Sequence, residues 1–311
     1  MMNTNRVVIF SPATVANVGP GFDILGFAID HPGDMIALEM ISSDSHEVIN
    51  KTPFDIPLEP EENVAVVSLE AFLDHIGSKD KFRITFLEKI PPGSGIGSSA
   101  ASSAGSVFAA NLLLGDPLTR RELVPFAARG EQAASGSPHA DNVAPALLGG
   151  FILVRSYKPL DLIQISSPES LFCTVVHPDI QLATAGSRKI LKDSVLLSTA
   201  VEQAGNVAGL ITGLLTSDFR LIRDSLHDVI AEPARAFLIP GFERLKEVAL
   251  KEGALGSSIS GSGPSVFSLC PDRKSAESVA RKFKKIFSEM DIHSKVFVSG
   301  INYKGICRLK D

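Results

Sequence analysis

The sequence predicts an α+β protein of two domains, and three observations carry that prediction. The chain has 311 residues, and at roughly 100–200 residues per domain a pair of domains is the natural division. Strand-like and helix-like patterns follow one another in mixed order rather than as a regular βαβ series. The apolar fraction is 44% against 21% charged, enough for a real core. Trp is absent and Tyr occurs only twice, so Phe, Leu, Ile and Val must fill that core.

Taken in chain order, Val7–Phe10 reads as a short strand running into Ser11-Pro12 and a polar loop, and Met35–Ile41 reads as a second strand. Val64–Ile76 has helical periodicity with Asn63 as N-cap. From Lys81 to Lys89 the pattern alternates, with Phe82, Ile84 and Phe86 on one face and Arg83 and Thr85 on the other, as in a half-buried strand. Pro91-Pro92 ends it. An Ala- and Leu-rich helix spans Ser99–Leu114 and closes on Gly115. Thr119 and Glu122 form a capping box for the next helix, and Pro125 one turn inside should kink it. Phe151–Val154 and Phe172–Val176 are strand-like, and the polar, turn-rich stretch from Lys158 to Ser170 separates an expected domain 1–168 from a domain 169–311. Helical patterns follow near 184–192, 194–215, 218–231 and 242–252. A second Gly/Ser stretch, Gly256–Gly263, precedes a strand at Ser265–Leu269, a helix at 274–289 and a strand at 295–299.

Composition removes several classes of function. The net charge is −5, whereas a nucleic-acid binder usually carries a basic excess or stripe. The densest basic run, Arg281, Lys282, Lys284 and Lys285, fits a solvated helix face. Cys173, Cys270 and Cys307 lack metal-ligand or redox spacing and read as reduced thiols. The apolar run Val7–Phe10 is too short for a signal peptide, and no stretch approaches the ~18 apolar residues of a membrane span. Together these predict a cytoplasmic protein without nucleic-acid or membrane partners.

The strongest chemical signal is the run Pro91, Pro92, Gly93, Ser94, Gly95, Ile96, Gly97, Ser98, Ser99, Ala100 and Ala101. Alternating glycines allow a tight turn and close approach of a ligand to the backbone. The helix that follows directs free N–H groups and its positive dipole end into the loop, which makes an anion site suited to a di- or triphosphate. Ser98 and Ser99 add hydroxyls. A bland reading, a turn that merely caps a helix, is outweighed by the strand–loop–helix context. No Gly-x4-Gly-Lys-Ser/Thr of a Walker A loop occurs, the dinucleotide fingerprint would need Gly or Ala at 98, which is Ser, and the His-Arg-Asp and Asp-Phe-Gly signatures of protein kinases are missing.

Three further stretches carry polar groups among small residues. Ser11 to Gly26 holds Asn17 and Asp23, although Asp23 alone reads as an Asx-turn residue. A third stretch has Glu131 just beyond a helix, then Ser135 to Pro145 with His139 and a loop bearing Asp141-Asn142. A carboxylate reaching a phosphate loop suits Mg²⁺, which takes few protein oxygens and keeps waters. The fourth, Gly256 to Ser265, is a second backbone-rich loop containing Gly261.

These four stretches in this order resemble the GHMP kinase superfamily over essentially the whole chain, and SGSPHADNVAPALLGG resembles the homoserine kinase branch. The resemblance implies an N-terminal domain like domain 2 of ribosomal protein S5 and a ferredoxin-like C-terminal domain. It further implies ATP phosphates wrapped by Pro91–Ala101, Mg²⁺ at Ser98 and Glu131, and Gly261 packed beside the phosphate loop. For homoserine as acceptor, it assigns the substrate carboxylate to Arg188 and Arg235 with Thr184 beside them. The ammonium goes to Asp23, with Asn17, Asp141 and His139 completing the shell. Without the resemblance both arginines read as helix-surface charges. Asn142 stands where mevalonate kinases carry an aspartate thought to act as base, a departure typical of homoserine kinases. With no lysine in the loop, charge neutralisation falls to Mg²⁺. An isoprenoid acid alcohol would need no ammonium partner, a sugar would need more hydroxyl-reading groups, and an inactive regulatory relative should have lost the loop or Glu131. A homodimer is expected only on the general prior for soluble oligomers and its occurrence in the superfamily.

Overall fold

The structure, a computed structural model, describes residues 5–180 and 190–310. The first sheet is mainly antiparallel, with strand order β11-β1-β2-β4-β3, and β5 pairs with both β2 and β6. Its strands are β1 Arg6–Ala16, β2 Leu25–Ile41, β3 Glu47–Asn50, β4 Lys81–Glu88, β5 Phe151–Tyr157, β6 Leu160–Ile165 and β11 Cys307–Arg308. The second sheet, order β10-β7-β9-β8, is built from β7 Phe172–Pro178, β8 Gly256–Ile259, β9 Val266–Cys270 and β10 Ser294–Gly300. The chain therefore returns at its end to the sheet in which it began, β11 pairing with β1.

Helices α1 Val64–Ile76, α2 Ser98–Leu113, α3 Arg120–Ser135 and α4 Ala140–Leu148 cover the first sheet. The expected caps form. The Asn63 side chain accepts from Ala65 N, the Thr119–Glu122 box is reciprocal, and Gly115 follows α2 with φ +86°. In the C-terminal half come α5 Leu197–Thr216, α6 Phe219–Ser225, α7 Ala231–Arg235, α8 Phe242–Lys251 and α9 Arg273–Glu289. The second sheet packs on α8 and α9 through Phe242, Leu245, Phe283 and Phe287. A central core joins the two sheets, where Phe27 and Phe151 of one meet Phe267 of the other.

Several expectations change in the structure. Both N-terminal strands are much longer than their apolar runs, because β2 continues through the Pro32-Gly33 interruption, and Gly33 is tolerated because the Phe10 ring fills the space of a side chain. The polar stretch after Lys158 contains the strand β6, whose partner β5 supplies the order that its pattern lacks. Gly256–Ile259 is a fully buried strand rather than a loop, its small residues fitting against Leu226. The pattern at 218–231 is helical only over α6, and α7 begins at its last residue. The one expected near 184–192 lies outside the described residues but for its last three positions, which are not helical.

Candidate functional site

A cavity of about 460 Å³ opens where the glycine loop, the turn after β1, the start of α4 and the second Gly/Ser turn converge. The loop has φ of +71° at Gly93, +80° at Gly95 and +70° at Gly97, a region L-residues enter only at a cost. Gly97 is the N-cap of α2 and has no side chain to satisfy the first amides, which leaves them for a ligand. A side chain at Gly95 would collide with the carbonyls of Ser260 and Gly263. The second turn instead braces the loop, with Ser260 Oγ donating to Gly95 O at 2.8 Å and Ser265 N to Ser94 O at 3.3 Å.

Beneath the loop lies a polar cluster that sequence reasoning missed. Lys89, at the exit of β4, is 5% exposed and its Nζ lies 2.9 Å from Oδ2 of the fully buried Asp34. The same ammonium donates to Ser98 O at 2.8 Å and Ser98 Oγ at 2.7 Å. Asp34 also accepts from Ile90 N and Ser102 Oγ, each at 2.8 Å. A buried ion pair is tolerable only when its remaining hydrogen-bonding capacity is used, and here the bonds tie β2, the exit of β4 and the first turns of α2 together beneath the loop. Lys89 lines the same cavity, but its charge is paired with Asp34 and its three N–H groups are engaged, so it braces the loop.

Glu131 lies inside α3 rather than beyond it, 5% exposed. Burial pushes its carboxyl up to about 7, against smaller opposing effects from a Ser99 hydrogen bond and the Lys89 charge. Such a carboxyl is stabilised as the anion by a cation. Ser98 Oγ donates to Ile90 O and accepts from Lys89, so one lone pair remains. One carboxylate and one hydroxyl fit Mg²⁺, which prefers few protein oxygens beside phosphates and water. Among the described residues, no cluster of three or more acidic, His or Cys groups offers a fuller cage.

The other half of the cavity is made of side chains. Asp141 and Asn142 occupy the first turn of α4, not a loop, and His139 is its N-cap residue. The position suits a carboxylate, because the helix dipole is positive there. Pro145 cannot donate to Asp141 O four residues back, and Gly26 lies against that carbonyl so closely that a Cβ would stand 1.8 Å away. Asp23, at φ +60°, has its N–H held by Asn17 Oδ1 at 3.0 Å. Asn17 Nδ2 donates to Gly261 O at 2.8 Å, so this amide bridges two loops. His139 Nδ1 stands 3.7 Å from Asp23 Oδ1 and 3.8 Å from Asp141 Oδ1. Arg235 ends α7, only 5% exposed, over the Phe22 ring and 3.4 Å from Gly261 O. Thr184 and Arg188 lie outside the described residues.

Two other contributors were missed. Asp228, two residues ahead of the N-cap Ile230, accepts from Ala231 N at 3.0 Å and Glu232 N at 2.8 Å, and so sets the turn that carries Arg235. An Asp ahead of a helical run is a cap signal, hidden here by reading one helix over 218–231. Tyr157 Oη donates to Asp23 O at 2.8 Å. It joins the Asp23 turn to the end of β5, with no local signal.

Comparison with known proteins adds an independent line. The family model described as GHMP kinases N terminal domain matches residues 63–150, and the one described as GHMP kinases C terminal matches 210–289. A homoserine kinase of Chloroherpeton thalassium is 45% identical, over 96% of this chain and 98% of that protein. One from Chlorobaculum tepidum is 47% identical over 95% and 96%. The crystal structure of homoserine kinase from Cytophaga hutchinsonii superposes with a TM-score of 0.95 at 45% identity, covering 99% of this chain and 98% of that one. An L. major mevalonate kinase in complex with R-mevalonate, 18% identical with a TM-score of 0.74 over 96% and 98% of the two chains, shares the fold. The chain belongs to the homoserine kinase family of the GHMP kinases.

Proposed function

We propose that this kinase transfers the γ-phosphoryl group of ATP to the hydroxyl of L-homoserine, giving O-phospho-L-homoserine for threonine synthesis. One observation supports the reading above all: a single cavity joins a backbone anion cradle to a pocket holding Asp23, Asp141, Asn142 and Arg235. Its apolar wall of Ile56, Pro57, Val64 and Phe86 suits a purine. The amides of the 93–97 turn and of the α2 N-terminus receive the phosphates. Ser98 and Glu131 would hold Mg²⁺, which supplies charge neutralisation at the phosphates when bound. ATP and magnesium are cytoplasmic reagents, and the enzyme works there.

At the acceptor end, Arg235 takes the carboxylate and Asp23 and Asp141 take the ammonium, with Asn17 and His139 holding those acids in place. The acceptor hydroxyl oxygen then bonds to the γ-phosphorus as the bridge to the β-phosphate breaks, in line. Asn142 orients the hydroxyl and cannot accept its proton, which leaves through the transferred phosphate or solvent. A loose transition state asks little early activation of the nucleophile, so positioning and charge stabilisation carry the rate. A coupled ADP-release assay tests the proposal. Homoserine should drive ATP consumption; turnover with mevalonate and none with homoserine would refute it.

A further inference from the structure

The acceptor amide is held by a residue outside the cavity wall. Thr14 lies in β1 just after the register shift between Pro12 and Thr14, and it is fully buried. Its N–H donates to Ile96 O at 3.2 Å, which stitches β1 to the glycine loop. Its Oγ1 donates to Asn142 Oδ1 at 2.9 Å. A Cβ placed on Gly97 would meet Thr14 Oγ1 at 2.1 Å and Asn142 Oδ1 at 3.2 Å. The hydroxyl–amide pair is therefore pressed against the residue that caps the phosphate-facing helix. Three segments distant in sequence meet at this point, and each uses a different chemical group to do so.

The consequence lies in which end of the Asn142 amide meets the reactants. With Oδ1 engaged by the Thr14 hydroxyl, the Nδ2 hydrogens are the groups left for the cavity that Asn142 lines. An N–H there attracts the lone pairs of an alcohol or of a phosphoryl oxygen. A carbonyl turned the same way would repel the phosphate and compete for the alcohol proton. Threonine suits the task because its branched side chain has few χ1 choices. We propose that Thr14 is a positioning residue for phosphoryl transfer, its hydroxyl fixing the Asn142 amide so that an N–H donor faces the reacting oxygen. The proposal rests on Asn142 standing beside the acceptor, as read above.

A double-mutant cycle on the full-length enzyme tests it, using Thr14→Val, Thr14→Ser, Asn142→Ala and the Thr14→Val/Asn142→Ala pair. Thr14→Val should lower kcat roughly tenfold, with KM for ATP and homoserine changed by less than about threefold, as expected for a lost hydrogen bond that matters in the transition state. Thr14→Ser, which keeps the hydroxyl, should recover most of that loss. On the Asn142→Ala background, Thr14→Val should change kcat by less than about twofold, because the pair acts as one unit. An undiminished Thr14→Val effect on that background overturns the proposal, as does an unchanged kcat in Thr14→Val itself. If Thr14→Val fails to fold, Thr14→Ser against Thr14→Ala isolates the same oxygen on both backgrounds. Should the wild type phosphorylate another alcohol and not homoserine, the substrate reading fails, and the same cycle run on that alcohol still decides on Thr14. If no alcohol drives ATP consumption, both fail.

Discussion

The two halves of the cavity are built in opposite ways. The proposed phosphate half is backbone, held by glycines at positive φ and the open end of α2, and braced from below by the Lys89–Asp34–Ser102 cluster. The proposed acceptor half is side chain, contributed by the turn after β1, by α4 and by α7, and each group is held by another: Asp23 by Asn17, Asn142 by Thr14, Arg235 through Asp228. Triphosphate recognition can be generic and so can rest on peptide groups. Choosing one small zwitterion requires charges of both signs in fixed places, and only side chains supply those.

That contrast can be broken first in the phosphate half. Lys89→Met strands the buried Asp34 carboxylate, and the variant should lose about 3–5 kcal/mol of stability by chemical denaturation. A loss under about 1 kcal/mol would mean the cluster does not brace the loop. The pH dependence of the metal-free protein comes next. Glu131 titrates near 7 when folded against 4.5 for the free group. Between those values the folded state retains a proton the unfolded chain has released, so stability falls as pH rises from 4.5 to 7 and levels off above. The fall should be on the order of 3 kcal/mol. Melts in EDTA should show this slope in the wild type and lack it in Glu131→Gln.

On the acceptor side, Arg235→Leu should cut kcat/KM for homoserine about 30-fold or more while leaving the KM for ATP within about threefold. Equal effects on both substrates would remove Arg235 from the acceptor half. Two glycines then separate conformation from contact. Gly93→Ala meets no atom within 4 Å and bears only its positive φ, about 1 kcal/mol, whereas Gly95→Ala must also displace the second turn and should cost at least about 2 kcal/mol. The expected readout is a higher KM for ATP and a lower Tm, both larger for Gly95→Ala. Smallest is Tyr157→Phe, which removes one hydroxyl from the junction of the Asp23 turn with β5 and should raise the homoserine KM about fivefold, at most ~1 kcal/mol. A change confined to ATP would place Tyr157 with the wrong half.

Some of this architecture is legible residue by residue. The alternation of Lys81–Glu88, the Asn63 and Thr119 caps and the glycine loop are visible because each depends on groups a few positions apart. Where such signals mislead, packing is the cause. Gly256–Ile259 looks like a turn because Gly and Ser are turn residues, but they also suit a strand buried on every side. Asp141-Asn142 looks like a loop between prolines, yet Pro145 is accommodated inside α4 because the carbonyl it leaves open packs against Gly26.

The phosphate cradle is thus a local property of its own residues: glycine allows positive φ wherever it stands, and a strand that stops at Pro91-Pro92 before a helix presents that helix's amides. The hydrogen bonds that aim the acceptor half span 128 residues from Thr14 to Asn142 and 134 from Asp23 to Tyr157. Lys89 finds Asp34 across 55. No periodicity or capping rule encodes such a pairing, because it depends on strand register and on which helix crosses which strand. These are settled only when the apolar faces of the sheets and helices close on one another.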